Sequence, residues 1–181
     1  MKENPLFNSD EVTLFDPVNM DDEDATPDEV ADAIERTYDG FHIPLQPAIK
    51  AMFRAQTLRL ASDFALDPEP DSGVWAFVQS PDMNAGFWYP LDFDTYSVEV
   101  QGNGYVNEHM PATAFGAGLT FTALNHLTWY HNDLREEKAS HALSDADYRD
   151  LMDLHNNLRA FLLDLADKEL IDAEAYLGFI D

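Results

Sequence analysis

The sequence predicts a single α+β domain in which a small three- or four-stranded antiparallel sheet packs against several helices. Three observations carry that prediction. Short β-branched and aromatic runs crowd together between residues 74 and 106. Segments with a 3.6-residue apolar repeat flank them on both sides. A hydrophobic content of 45% over 181 residues supplies enough apolar surface for one core and is short for two.

Taken in order, the chain opens with an acidic segment. Asp10, Glu11, Asp16, Asp21, Asp22, Glu23 and Asp24 are opposed only by Lys2, and apolar periodicity is slight, so residues 1–25 are expected to form a flexible acidic arm ahead of the domain at 26–181. Thr26-Pro27-Asp28-Glu29 reads as a helix start, with Thr26 as N-cap, Pro27 in the first turn and Glu29 placed for a capping box. This short helix is expected to stop at Asp39-Gly40. From 47 to 65, Ile49, Met52, Phe53, Gln56, Leu60 and Phe64 share one helical face while Lys50, Arg54 and Arg59 lie off it. Pro68 and Pro70 then forbid continuation.

Val74-Trp75-Ala76-Phe77-Val78, Gly86-Phe87-Trp88-Tyr89 and Tyr96-Ser97-Val98-Glu99-Val100 have the length and composition of strands. The turn Gly102-Asn103-Gly104 leads into Tyr105-Val106, which completes an antiparallel meander. Residues 112–130 are apolar nearly all round, with Phe115, Leu119, Phe121, Leu124, Leu127 and Trp129 pointing in different directions, the pattern of a central buried helix. Ala114, Gly116, Ala117 and Gly118 would let that helix lie close on the sheet. Residues 132–143 are polar and read as a loop. Ser144 and Asp147 then cap a helix over 144–167 with Leu151, Leu154, Leu158, Phe161, Leu162 and Leu165 on its inner face.

Composition excludes several function classes. Cysteine is absent, which removes disulfides, thiolate metal sites and a cysteine nucleophile. Thirty-five acids against ten bases give a formal charge of −25, so most of the surface repels nucleic acid and anionic membranes, and direct nucleic-acid binding is not expected. The uncharged stretch from His109 to Asn132 carries too many threonines, asparagines and histidines for hydrocarbon. The opening residues lack the apolar run of a secretory signal, and the expected location is the cytoplasm.

Catalytic motifs are mostly missing. His126 and His131 are five apart and do not stack on one helical face, so no metal site is expected, and His126 and His155 read as hydrogen-bonded core histidines. Asp92 and Asp94 could pair as acid and base in a metal-dependent hydrolase or nuclease, the alternative enzymatic reading. A generic acidic protein-binding adaptor is a further alternative. Asp153, Asp164 and Asp167 project from the last long helix and form a possible acidic interaction face.

Gly73-Val74-Trp75-Ala76-Phe77 leading to Gly86-Phe87-Trp88-Tyr89-Pro90, followed by Ala123-Leu124-Asn125-His126-Leu127 late in the apolar helix, is similar to the ArdB and KlcA family of antirestriction proteins. Met110, Ala112 to Gly116, Leu158-Arg159-Ala160-Phe161 and the closing Ile180-Asp181 agree in the same order, so the resemblance spans roughly residues 50–181. The acidic arm and first helix have no family counterpart, residues 132–143 read as an insertion, and Gln56 stands where the family leads one to expect a glutamate. The resemblance implies relief of host restriction, chiefly by type I restriction–modification enzymes, on behalf of a plasmid, phage or other mobile element. It implies no catalysis and no cofactor, and a protein partner belonging to the host restriction–modification machinery, acted on directly or indirectly. Trp75, Trp88, Asn125 and His126 are then family-motif residues: the two tryptophans are expected in the core, and Asn125 and His126 in buried hydrogen bonds beneath the sheet. The acidic arm is expected to serve solubility.

Overall fold

A computed structural model describes residues 12–14, 47–67, 75–82 and 84–181 of the chain. In chain order the elements are β1 (Thr13–Leu14), α1 (Pro47–Phe64), β2 (Ala65–Asp67), β3 (Trp75–Gln79), β4 (Gly86–Pro90), β5 (Thr95–Val100), β6 (Tyr105–Pro111), α2 (Ala112–Glu136), α3 (Asp145–Asp167) and α4 (Ala173–Ile180). The fold is α+β with antiparallel strands, as the sequence predicts. The meander, however, is divided into two three-stranded ladders, ordered β1-β3-β4 and β2-β5-β6. Pro90 ends β4 without an N–H to donate, and the chain leaves the first ladder there.

In the first ladder every residue of β3 and β4 is buried, with Trp75 opposite Pro90 and Phe77 opposite Trp88. Such a hairpin must be covered on both faces and along its free edge. Phe53 of α1 meets the Trp88 ring edge-on at 5.0 Å, and Phe161 of α3 lies 6.4 Å from Phe87. Helix α2 covers the edge of β4. The Trp88 N–H donates to Thr120 Oγ1 at 3.2 Å, so a backbone group that would otherwise be an open strand edge is satisfied by a helix side chain. Thr120 in turn donates to the Gly116 carbonyl at 2.8 Å.

Gly116 makes this contact possible. A Cβ there would stand 2.3 Å from the Trp88 carbonyl oxygen and 2.4 Å from Tyr89 Cα, where real atoms do not approach. The small residues expected to bring the helix onto the sheet therefore do so. The same helix admits α4 at Gly118, whose missing Cβ leaves room for the Phe179 ring.

The second ladder is built differently. β5 alternates exposed and buried residues, and β6 is largely exposed apart from Met110. Tyr96 stacks 5.1 Å from Phe115 of α2, while Tyr105 fills the space beside Gly178 of α4. Asn103 in the tight turn donates to the Gly178 carbonyl at 3.1 Å, tying the turn to the last helix.

Several boundaries differ from the sequence reading. α2 continues to Glu136, so the expected loop at 132–143 begins only at 137: Leu134 is buried and Asn132 bonds Glu136 across one turn, both of which favour another turn of helix. Lys138 then takes a left-handed conformation at φ 54°, and the Ala139 N–H bonds the Leu134 carbonyl to close the end. Ser144 caps α3 as expected, accepting the Asp147 N–H at 3.2 Å. α4 was not foreseen. Asp172 caps it through the Ala175 N–H, and Ala175, Tyr176 and Phe179 bury its inner face. A short strand, β2, also follows α1 directly where a break was expected. Of the acidic arm, Val12 packs against the core and Thr13–Leu14 pair with Gln79 and Val78. The rest of the arm and the helix expected at 26–38 lie outside the described residues.

Candidate functional site

The face where α1 meets the late turns of α2 holds the most exposed aromatic residue of the described surface. Gln56 of α1 is half-buried, and its Nε2 donates to His126 Nδ1 on α2 at 3.0 Å. An amide nitrogen has no lone pair to accept with, so the ring is neutral, with its proton on Nε2. Desolvation of the ring, and secondarily the nearby Arg59 guanidinium, lower the His126 pKa and hold that neutral form at pH 7. One turn further, at the i+3 and i+4 positions from His126, stand Trp129, 63% exposed, and Tyr130, 44% exposed. Arg59 is also exposed and lies 4.0 Å from Asp63 one turn along α1. Tryptophan, tyrosine and arginine are the residue types that dominate protein–protein binding energy.

This arrangement corrects two expectations. His126 is exposed and bonds sideways to a neighbouring helix, in place of a buried bond beneath the sheet; Asn125 is half-buried beside it. Trp129 points out of the helix bundle although the surrounding apolar pattern places it within. Trp75 and Trp88 are core residues as expected, 9% and 5% exposed.

The remaining histidines separate by burial. His155 is half-buried, its ring 5.0 Å from that of Phe121 and the Asn156 side chain its polar neighbour. His131, which is buried, has no partner for either nitrogen among the described residues. Burial lowers the pKa of both. His109 is exposed on β6, and His141 is exposed in the turn before α3.

Asp153, Asp164 and Asp167 are exposed along α3 as the sequence reading places them, but Asp164 is partly neutralised by Lys168 at 2.8 Å. Asp92 and Asp94 are exposed in the loop before β5. The Asp94 carbonyl accepts the Ala112 N–H at 3.0 Å, which fixes the start of α2, and the Asp92 charge joins burial in raising the Tyr96 pKa. Among the described residues no group of three or more histidine or acidic side chains is gathered to hold a metal ion. Nor, among them, is any helix long and apolar enough to cross a membrane.

No family model, no curated protein and no solved structure matches the chain.

Proposed function

We propose that the protein is an antirestriction protein of the ArdB and KlcA kind, which antagonises host type I restriction–modification from the cytoplasm without catalysis, by contact with a protein of the restriction machinery. The observation that carries this reading is the ordered set of resemblance motifs from Trp75 to Asp181. Two of them meet in the fold: the Trp88-Tyr89 strand rests on Gly116 and Thr120 of α2, and that helix presents Asn125 and His126 one turn before the exposed Trp129 and Tyr130. A binding protein needs such a surface and not a reactive constellation. The hydrolase alternative draws no comparable support, because Asp92 and Asp94 stand on an exposed loop whose backbone role is to start α2.

Unmodified phage plated on type I restricting cells provides the test. Cells expressing the protein are expected to recover plating efficiency, and cells expressing folded Trp129→Ala/Tyr130→Ala protein to lose most of that gain. Unchanged restriction with the intact protein, across several type I systems, would reject the reading.

A further inference from the structure

The chain contains one asparagine followed by glycine, Asn103-Gly104, and the fold places it in the tight turn between β5 and β6. Both residues are exposed, and nothing lies within 4 Å of where a Gly104 Cβ would stand. The Asn103 side chain is engaged at both ends. Its Oδ1 accepts the Tyr105 N–H at 2.9 Å, and its Nδ2 donates to the carbonyls of Gly178 and Phe179 at 3.1 and 3.4 Å. Those carbonyls belong to the last turn of α4, which has no basic residue of its own, so an uncharged amide from the turn satisfies acceptors that a helix end leaves open.

Asparagine before glycine is open to a reaction of the chain with itself. The peptide nitrogen of the next residue attacks the asparagine Cγ, a new C–N bond closes a succinimide ring, the bond from Cγ to Nδ2 breaks, and ammonia leaves with the proton of the attacking nitrogen. Water then opens the ring to aspartate or isoaspartate. The net change is one water taken up and one ammonia released, with no oxidant or cofactor. A side chain on the following residue hinders the attack, and glycine has none. The turn adds electrostatic help, because the Tyr105 N–H points at the oxygen on which negative charge develops. It also holds a brake: the Gly104 N–H is donated to the Val100 carbonyl at 2.9 Å, so ring closure waits for that bond to open.

We infer that Asn103-Gly104 is a deamidation site whose conversion releases α4 from the turn. Aspartate at position 103 keeps an oxygen for the Tyr105 N–H but puts an anionic acceptor where the amide donor was, facing two carbonyls at the negative end of α4. Isoaspartate does the same and also lengthens the backbone of the turn. The packing of Phe179 at Gly118 and of Tyr105 at Gly178 is then left without its polar tie. An eight-residue helix has little stability of its own, which makes α4 the element to open first. This modification is independent of the function proposed above and of whatever the protein binds.

The test follows the full chain through incubation in mildly alkaline buffer by peptide mass spectrometry, with cleavage at Glu99 and Glu108 isolating the site. Asn103 is expected to convert roughly tenfold faster than Asn84, Asn107 or Asn132, giving both aspartate and isoaspartate. Hydrogen exchange reads the consequence. In Asn103→Asp, protection of the amides at 173–181 is expected to fall roughly tenfold while the β3–β4 hairpin keeps its own. Gln101→Glu, which adds the same charge elsewhere in the exposed turn, is expected to retain protection in both places. Ion-exchange chromatography separates the converted wild-type chain by its added negative charge, and the same exchange comparison on that fraction frees the test from the folding of any variant. Conversion of Asn103 at the pace of the other asparagines would overturn the modification site. Unchanged protection of α4 in the converted chain, an equal loss in Gln101→Glu, or a loss spread through the whole molecule would each overturn the release.

Discussion

The two main hairpins of this protein differ in composition, the first almost wholly apolar and the second alternating apolar with polar residues, and they reach opposite solutions. β3 and β4 are buried at every position, whereas β5 alternates and β6 faces solvent along most of its length. The difference is cover. α1 and α3 contact the β3–β4 hairpin through Phe53 and Phe161, and α2 lies against the backbone of β4; the β5–β6 hairpin meets α2 and α4 on its inner side only. A strand pair covered this way depends on helices that are distant in sequence, and a half-solvated pair depends chiefly on one face. The lesson is that strand composition and cover agree: the apolar pair is enclosed by helices, and the pair with polar residues at every second or third position keeps one face in solvent.

The comparison breaks most visibly on truncation. Phe87→Ala, at a wholly buried β4 position, is expected to cost about 4 kcal/mol in denaturant unfolding, because it loses both transfer energy and packing. Val106→Ala on β6, 59% exposed, is expected to change stability by less than about 0.5 kcal/mol. Comparable losses at both sites would mean that the second hairpin is covered after all.

Gly116→Ala comes next, at about 3 kcal/mol, since the added methyl strikes backbone that cannot yield without moving β4 away from α2. Unfolding midpoints of this variant against Gly102→Ala, where a Cβ meets nothing within 4 Å, measure the value of the close approach. A neutral Gly116→Ala would show that helix and strand do not touch there.

Thr120→Val keeps the shape of the side chain but removes the acceptor for the Trp88 N–H, and is expected to cost about 1–2 kcal/mol. Hydrogen exchange sharpens the point: the Trp88 amide should lose protection more than its neighbours in β3. Equal protection in the variant would remove Thr120 from the role of edge cover.

The final expected effect is a slope with pH in the helical layer. Burial depresses the folded-state pKa of His131 and His155 below the ordinary value of 6.5, so the unfolded chain binds protons more readily. Stability is therefore full above about pH 6.5 and falls as pH drops through that value toward the folded-state pKa values. His131→Phe/His155→Phe should flatten this part of the stability curve. An unchanged slope would place the acid sensitivity elsewhere.

Much of the fold was legible because its elements announce themselves locally. The apolar spacing of Ile49, Phe53 and Leu60 gave α1, Ser144 and Asp147 gave the start of α3, and the small residues around Gly116 gave the contact with the sheet. α4 escaped notice because eight residues offer little periodicity, and its apolar face has meaning only against Tyr105 and Gly118. The surface was less legible. Gln56 and His126 are 70 residues apart, and nothing in either segment states that they bond. Trp129 shares its apolar character with buried neighbours and differs from them in the side of α2 on which it falls.

By itself the sequence determined the antiparallel strands, the three long helices and a charge that repels nucleic acid over most of the surface, since propensity, periodicity and net charge act along the chain. Only the tertiary structure decided that the strands divide into two ladders, that Thr120 closes the edge of one of them, and that Asn103 reaches the end of the last helix. Those outcomes depend on which distant backbone groups are left without partners once the helices pack, and such a group meets its partner only when the rest of the chain has taken its place.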